Sequence, residues 1–239
     1  MIKRGGAIEH HDDLIDTTEM YLRTILELEE EGQVPLRARI AERLDHAGPT
    51  VSQTVARMER LGLVNVSADR HLQLTDDGRR EAIGVMRKHR LAERLLADVI
   101  GLEWEFVHEE ACRWEHVMSE QVERKIIGLI SSPDVSPYGN PIPGLAELGH
   151  KSNEAFRDGV IAITELVGEA EGKQYKLTRI GEPLQVFSEQ LADMREAGLI
   201  PGATVTLDFG PSEITVKAVE GQEALVFSRD SASHLFVSI

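Results

Sequence analysis

Cysteine is nearly absent from this sequence. Cys112 is the only one in 239 residues, which excludes an internal disulfide framework. Long apolar runs are absent too, because no stretch approaches the roughly 18 residues needed to span a membrane, and the N-terminus has no apolar signal core. We therefore expect a protein of the reducing cytoplasm that has no membrane partner.

Positive charge is scarce as well, but it is unevenly distributed. The formal net charge of −15 argues against a protein that coats nucleic acid through its overall field. Residues 37–90 nevertheless contain 11 Lys/Arg against 7 Asp/Glu, a local excess of +4. A basic module inside an acidic but otherwise ordinary globular chain allows specific DNA binding by one domain.

The first clear helix signal is a capping box at residues 16–19, which predicts a helix from Asp16 to about Gly32 after an unpatterned lead-in of fifteen residues. Met20 lies near the start of this helix. A hydrophobic staple with Ile15 explains it, yet Met20 points away from the inward stripe, so a packing role and a functional role both stay open. The inward stripe consists of Leu22, Ile25 and Leu26.

Residues 36–74 have the pattern of a winged helix-turn-helix. A second helix covers 36–44, and Pro49 at a first helical position starts a third helix that Gly62 closes. Two strand-like runs, 63–66 and 71–74, form a hairpin directly afterwards. The expected inward side chains of the two helices are Ala38, Ile40, Ala41, Leu44, Val51, Val55 and Met58.

The start of the third helix is the candidate DNA-reading surface. Its polar residues lie off the inward stripe, where a major groove would lie, and a glutamine can bond an adenine edge bidentately. Arginines around it could hold phosphates. The alternative is a solvated polar face on a protein-interaction module. The base-reading candidates are Pro49, Thr50, Ser52 and Gln53, and the phosphate candidates are Arg37, Arg39, Arg57, Arg60 and Arg70.

Cys112, Glu115 and His116 are spaced i, i+3 and i+4 on a helix expected from about Trp104 to beyond Val122. Such residues share one helical face and can converge on a metal ion. The alternative is a buried core cysteine. We favour the metal site, because these residues and His108 lie on a polar face that is separate from the inward stripe of Ala111, Trp114, Met118 and Val122.

Two further groups of ligand-type residues are weaker signals. His89 and Glu93 form an i, i+4 pair on a long helix capped at residues 75–77 and ending near Asp98. Taken alone, this pair favours a surface salt bridge over a metal site. Glu182 and Gln185 lie in a β region, where carboxylates and amides are common in loops, and carry no meaning without a family pattern.

The remaining pattern predicts a chain that is mainly α with a β C-terminal domain. The two long helices after residue 75 have enough apolar surface to pack on a second copy of the chain. A Pro/Gly/Ser segment at 131–144 predicts a linker or a bound polyproline-like stretch. Short strands after about residue 161 predict a small β barrel. The expected domains are 1–83, 84–150 and 151–239.

Five segments of the sequence closely resemble the diphtheria toxin repressor family, and most closely its branch of iron-dependent regulators of actinobacteria. The resemblance is nearly continuous from Leu14 to Leu148 and looser in the β region. It departs at Ala47, where a small hydroxyl residue is common, in the longer N-terminal extension and at 150–170. The segments that carry it are DTTEMYLRT (16–24), LRARIAERL (36–44), GPTVSQTV (48–55), MRKHRLAERL (86–95) and EACRWEHVM (110–118).

The resemblance implies a homodimer, with one or two dimers per operator, that binds double-stranded operator DNA through winged helices only when a divalent metal is present. It implies a helical dimerisation domain and an SH3-like β barrel. The resemblance and metal availability imply Fe(II) as the physiological metal, with Co(II), Ni(II) or other divalent transition metals as substitutes. A thiolate and a thioether suit Fe(II), Co(II) and Ni(II) better than Mn(II). A manganese-responsive repressor and, from another class, a metallohydrolase are the alternatives.

The resemblance also implies which side chains act. Each set is an expectation carried over position by position. The primary metal site would be Met20, Cys112, Glu115 and His116; the ancillary metal site would be His89, Glu93, His108, Glu182 and Gln185; and an anion near the ancillary site would be held by Arg90, Ser136 and Asn140.

Overall fold

The computed structural model describes residues 9–151, 155–166 and 173–238. The chain divides into two compact units, the first ending at Arg87 and the second beginning at Lys88. None of the helices in the described ranges is long and apolar enough to cross a membrane.

The described residues of the first unit form three complete helices and a two-stranded wing. The helices are α1 (Glu9–Glu30), α2 (Arg37–Leu44) and α3 (Gly48–Arg60). Strands β1 (Val64–Val66) and β2 (Leu72–Leu74) pair antiparallel, with Val64 opposite Leu74. Helix α4 (Asp76–Leu95) begins in this unit and continues into the second. The predicted winged helix is therefore confirmed.

Local sequence explains how α3 and α4 are held. Pro49 stands at the beginning of α3, and Val51, Val55 and Met58 are fully buried, as their spacing predicts. The Thr75 hydroxyl accepts a hydrogen bond from the Gly78 backbone N–H at 3.1 Å, which caps α4. Gly78 has to be glycine, because a Cβ there would clash with the carbonyl oxygen of Leu63.

Two expectations for the first unit are wrong. Helix α1 begins at Glu9, so residues 16–19 lie inside the helix and do not cap it, and part of the expected lead-in is helical. Neither glycine nor proline stands between Glu9 and Asp16 to interrupt the helix. Ala38 is exposed although it was expected inward. It lies two residues, or about 200°, from the fully buried Ile40, so the short helix cannot turn both inward.

The helical part of the second unit is more broken than expected. After α4 come a π-helical turn (Leu96–Ile100), a 3₁₀ turn (Trp104–Phe106), α5 (Val107–Trp114) and α6 (Glu120–Ile127). The single helix predicted from Trp104 to beyond Val122 is wrong, since residues 115–119 interrupt it and Val122 is 46 % exposed. Ser119 has an extended backbone before α6, and Glu120 and Glu123 lie in the first turn of α6.

The sheet of the second unit has six antiparallel strands in the order β3-β8-β4-β5-β6-β7. This confirms the expected fold class, which is mainly α with a β C-terminal domain. The strands are β3 (Val160–Ala162), β4 (Gln174–Ile180), β5 (Thr204–Phe209), β6 (Glu213–Ala218), β7 (Ala224–Ser228) and β8 (Leu235–Ser238); the helices among them are α7 (Glu182–Gln185), α8 (Ser188–Glu196) and α9 (Arg229–Ala232).

The Pro-rich segment forms a buried turn against β4. The Ser136 N–H donates to the Asn140 carbonyl at 2.8 Å, and the Ile180 N–H donates to the Tyr138 carbonyl at 3.0 Å. Gly139 (φ +80°) has no room for a Cβ beside the carbonyl of Thr178. The segment is therefore packed against β4, and its expected role as a linker between domains stays a prediction. The domain boundary at residue 150 stays a prediction, because both later domains fall in the second unit.

Candidate metal centre

A cluster of ligand-type side chains lies in the interior of the second unit. His89 and Glu93 are on α4, and His108 and Cys112 are on α5. His89 Nε2 lies 2.9 Å from Glu93 Oε1 and 3.1 Å from His108 Nδ1, and His108 Nε2 lies 3.6 Å from Cys112 Sγ. One ligand atom from each of His89, His108 and Cys112 lies within 4.8 Å of the others, close enough to hold one ion.

Glu115 extends this cluster toward His116. Its Oε2 lies 2.6 Å from His89 Nδ1, and its Oε1 lies 3.3 Å from His116 Nε2. Glu115 is outside α5, yet it keeps helical dihedrals, and its N–H bonds the Ala111 carbonyl at 3.1 Å. The i, i+3 relation to Cys112 therefore survives the end of the helix. The two ligand groups expected from sequence form one continuous network in this unit.

The cluster is shielded from water. His89 and Glu93 are completely buried, while His108 and Glu115 are 2 % and 1 % exposed. Cys112 and His116 are half-buried at its edge. The expectation that His89 and Glu93 alone favour a surface salt bridge is wrong, because the pair is buried against α5 and not on the surface.

Burial and charge set the protonation of the cluster. Burial alone would raise the pKa of Glu93, but the charge of His89 and hydrogen bonds from His108 and His89 hold it well below its usual range. Burial would lower the pKa of His108, but the Cys112 sulfur and the Glu93 carboxylate raise it to about 9. The interior thus holds an ionised carboxylate and a protonated imidazole side by side.

The α7 side chains hydrogen-bond the expected anion residues and the backbone, while Glu182 lies close enough to His89 and Glu93 for their charges to affect its pKa. Glu182 Oε1 accepts hydrogen bonds from Arg90 Nε at 2.9 Å, from Arg90 Nη2 at 2.7 Å and from Asn140 Nδ2 at 3.3 Å. Gln185 Nε2 donates to the Ile180 carbonyl at 2.7 Å. Ser136 Oγ accepts from the Tyr138 N–H at 3.2 Å. Arg90 and Asn140 therefore hold a carboxylate of the protein itself.

The charges of Arg90 and Glu182 also set the protonation of this ion pair. Burial would raise the pKa of Glu182, but the Arg90 guanidinium beside it holds that pKa below its usual range. The pair is nearly inaccessible to water, with exposed side-chain fractions of 0 % for Arg90 and 4 % for Glu182.

Three buried oxygens bear on whether the residues of this unit can hold a metal ion. Glu93 Oε2, Asn140 Oδ1 and Gln185 Oε1 are buried without a hydrogen-bond partner among the described residues. Buried polar atoms are normally satisfied, so such oxygens need a missing partner such as a cation or water. Glu93 contacts His89 and His108, so Glu93 Oε2 adds an oxygen donor to the imidazole and thiol donors of the cluster, and this mixed N/O/S set suits borderline divalent transition metals. The residues present fit such an ion.

Met20 lies elsewhere in the chain. It is a half-buried residue of α1 that packs against the core of the first unit. Since α1 begins before residue 16, the staple interpretation loses its basis. Its role as a primary-site ligand stays a prediction.

The expected DNA-reading residues are on the surface. Pro49, Thr50, Ser52 and Gln53 are all exposed on α3, as are Arg60 at its end and Arg70 at the tip of the wing. Arg37, Arg39 and Arg57 are half-buried. Arg39 donates to the Val34 carbonyl at 2.6 Å, and Arg57 donates to the Thr18 hydroxyl at 3.0 Å. The DNA contacts of all these residues stay predictions.

Two protein-family models match the sequence, and together they cover most of residues 13–144. Residues 13–72 match the N-terminal DNA binding domain of the iron dependent repressors, and residues 75–144 match their metal binding and dimerisation domain. The iron-dependent repressor IdeR of Mycobacterium tuberculosis is 52 % identical over 222 residues, which cover 92 % of this chain and 96 % of that protein. The chain belongs to the iron-dependent repressor family. This confirms the family resemblance of the sequence.

A further curated relative and two solved structures are also similar to this chain. The diphtheria toxin repressor of Corynebacterium efficiens is 57 % identical over 195 residues, covering 82 % of this chain and 84 % of that protein. The crystal structure of T. acidophilum IdeR has a TM-score of 0.72 at 26 % identity and covers both chains completely. The manganese regulator SloR has a TM-score of 0.72 at 27 % identity, covering 92 % of this chain and 97 % of that one.

The family match includes the whole histidine, cysteine and carboxylate network but ends before Glu182 and Gln185. One supporting residue within the matched range was missed from sequence. The Tyr138 hydroxyl accepts from the His108 N–H at 3.2 Å and donates to the Trp104 carbonyl at 2.8 Å, and burial strongly raises its pKa. An aromatic residue between Ser136 and Asn140 was the available signal.

Proposed function

We propose that this chain is an iron(II)-dependent transcriptional repressor that binds operator DNA as a metal-activated homodimer. The buried network from Cys112 through His108 and His89 to Glu115 carries the proposal, since it combines ligand atoms of three kinds inside the family's metal-binding domain. We also propose that it has no catalytic role and acts in the cytoplasm, where such a regulator meets its DNA.

The two metal sites keep the ligand sets expected from the family. In the primary site Cys112, Glu115 and His116 would be joined by Met20, whose assignment depends on the resemblance of residues 16–24. In the ancillary site His89, Glu93 and His108 would be joined by Glu182 and Gln185. Gln185 Oε1 supports this second set, because it is a buried acceptor that receives no hydrogen bond from the described residues.

A divalent metal would supply positive charge that replaces protons on the ligands and holds the anionic ones together. The residues prepare for this. His108 would release the proton that its raised pKa keeps in place, and Glu93 is ionised beforehand. His89 orients Glu115 through the 2.6 Å contact, as an outer partner orients a metal ligand. Arg90 and Asn140 fix Glu182.

The surface of the second unit supports a homodimer. Val99, Ile100 and Phe106 are 51 %, 55 % and 46 % exposed. Ile100 and Phe106 line a depression of about 410 Å³ together with Leu102 and Trp114. An exposed apolar patch on a regulator is commonly covered by a second copy of the same chain. The proposal covers an operator that binds one dimer as well as an operator that binds two.

The DNA-binding surface would be the exposed start of α3. Ser52 and Gln53 would reach base edges, while Arg60 and Arg70 would hold phosphates. Arg37, Arg39 and Arg57 are proposed as further phosphate contacts at the rim. Ala47, which stands before α3, cannot supply a hydroxyl contact there.

Iron is proposed over manganese because Cys112 and Met20 are soft ligands, whereas Mn(II) prefers oxygen. The likeness of the fold to the manganese regulator SloR favours the alternative of a manganese-responsive repressor. The test is a titration of DNA binding with Fe(II) and with Mn(II) under anaerobic conditions at stated salt, on a duplex selected from a random pool by the metal-loaded protein.

Activation at a lower Fe(II) than Mn(II) concentration, reversed by a chelator, is expected. Activation by Mn(II) alone would favour the alternative. DNA binding that is indifferent to both metals would overturn the proposal.

A further inference from the structure

The first unit contains a polar node directly beside Met20. Tyr21, the next residue, is completely buried, and its hydroxyl oxygen lies 2.9 Å from His46 Nδ1. The two rings are also in contact, with centroids 5.7 Å apart. A buried phenol hydroxyl requires a partner, and His46 supplies it.

His46 is placed where a small displacement would matter. It lies in the turn between α2 and α3, two residues before α3 begins. Asp45 before it has the left-handed conformation, with φ 50°, although it is not glycine. Non-glycine residues hold that conformation when their surroundings determine it. Here the backbone N–H groups of Asp45 and His46 bond the carbonyls of Glu42 and Ala41 at the end of α2, and the Tyr21 hydroxyl holds the His46 side chain in the turn from which α3 leaves.

Tyr21 also contacts α3 itself. Thr54, a buried residue of α3, hydrogen-bonds the Tyr21 hydroxyl, and the charge of Arg57 lies near it; both oppose the rise in the pKa of Tyr21 that burial causes. About one helical turn after Thr54 on α3, the Arg57 guanidinium donates a hydrogen bond to the Thr18 hydroxyl at 3.0 Å. Residues on both sides of Met20 are therefore bonded to the turn or to the recognition helix.

We propose that Tyr21 is a positioning residue that transmits the capture of Met20 by metal to the recognition helix. The inference deepens the proposed function and rests on it. An ion that binds the Met20 thioether restrains α1 at one residue, and the hydroxyl of the next residue restrains the turn that orients α3. Without that hydroxyl, metal can still bind, but its effect on α3 is weakened.

The test measures an activation ratio, which is the operator dissociation constant of the metal-free full-length protein divided by that of the Co(II)-loaded protein. The probe is the duplex selected from a random pool by the Co(II)-loaded wild type, followed by fluorescence anisotropy at one salt concentration. Tyr21→Phe removes only the hydroxyl. Tyr175→Phe, a half-buried tyrosine on β4 of the second unit, is the matched control.

We expect Tyr21→Phe to lower the ratio about three- to tenfold, as loss of one buried hydrogen bond would. The thiolate-to-Co(II) charge-transfer band and its titration midpoint should stay unchanged, because Cys112 is untouched. Tyr175→Phe should keep the wild-type ratio. His46→Ala should lower the ratio as much as Tyr21→Phe, and the double variant should lose no more than either single one.

The conservative variant sharpens the test. His46→Gln retains a group that can pair with the hydroxyl and should restore most of the ratio. A merely structural role would weaken the metal-free and Co(II)-loaded affinities by one common factor and leave the ratio unchanged, which would overturn the inference. So would additive losses in the double variant. A wild-type ratio near one would overturn the proposed function, and the inference with it.

Discussion

His89 Nδ1 lies 2.6 Å from a carboxylate oxygen of Glu115, and this contact joins side chains that sequence separates into two metal sites. Both partners are buried, at 0 % and 1 % exposure, so water competes little for the bond. A side chain expected to bind one metal thereby holds a ligand expected to bind the other. Changes at one site should be felt at its neighbour.

Replacing His89 tests that relationship. His89→Ala should weaken Co(II) binding at Cys112 about tenfold, although His89 is not in the primary set, because loss of an outer partner commonly costs metal affinity 10- to 100-fold. The thiolate-to-Co(II) charge-transfer band gives the titration. His71→Ala on the wing is the control and should not shift the midpoint. Equal midpoints for wild type and His89→Ala would mean that the two groups act independently.

The single cysteine makes ligand occupancy measurable by alkylation. Cys112 is half-buried and is the only thiol in the chain, so every modified molecule reports this site. We expect iodoacetamide to label the metal-free protein and Co(II) to slow labelling more than tenfold, because a metal-bound thiolate is not free to attack. Mass spectrometry quantifies the product. Labelling at the same rate with and without Co(II) would remove Cys112 from the ligand set.

Metal affinity should rise with pH. The pKa of His108 is raised to about 9, so at neutral pH this imidazole carries a proton in the metal-free protein, and an incoming ion has to displace it. Between pH 6 and 8 the affinity for Co(II) should increase up to about tenfold per pH unit for each proton released. Calorimetry in two buffers of different ionisation enthalpy counts these protons. Binding without proton release at pH 7 would contradict the assignment of His108.

The Arg90–Glu182 pair should dominate the stability of its surroundings. Arg90→Leu leaves the Glu182 carboxylate buried without its guanidinium, which should cost about 3–5 kcal/mol of unfolding free energy in urea. Arg113→Leu, which breaks an exposed pair with Glu109, is the control and should change stability little. Because the folded-state pKa of Glu182 is lowered, the pair's contribution is present above the unfolded pKa and is lost as pH falls through the folded one. Equal losses in the two variants would contradict this account.

The parts of the fold predicted from sequence are those governed by local signals. Pro49 marks the start of α3, and the spacing of Val51, Val55 and Met58 gives its buried face. Helix ends were harder to predict. Asp16 is a typical helix-capping residue, but it lies inside α1, because neither glycine nor proline stands between Glu9 and Asp16 to stop the helix. The periodicity around Trp114 continues past the end of α5, because Glu115 keeps helical dihedrals for one more residue.

Long-range pairing explains the rest of the difference. Arg90 and Glu182 are 92 positions apart, and no local pattern connects them. Sequence indicated Cys112, Glu115 and His116 through their spacing. It gave no reason to bring His89 against Glu115, since that contact depends on how α4 and α5 pack. Burial of the His89–Glu93 pair follows from the same packing, which is why spacing alone favoured a surface salt bridge.

The most direct test of the central claim is the operator affinity of wild type and Cys112→Ser against Fe(II) concentration, measured anaerobically by mobility shift at one stated salt. We expect Fe(II) to switch on operator binding in the wild type and a chelator to reverse it. We expect Cys112→Ser to lose this response at the same Fe(II) concentrations while it keeps its fold. Full Fe(II)-dependent operator binding by Cys112→Ser, or wild-type binding unaffected by chelation, would contradict the central claim.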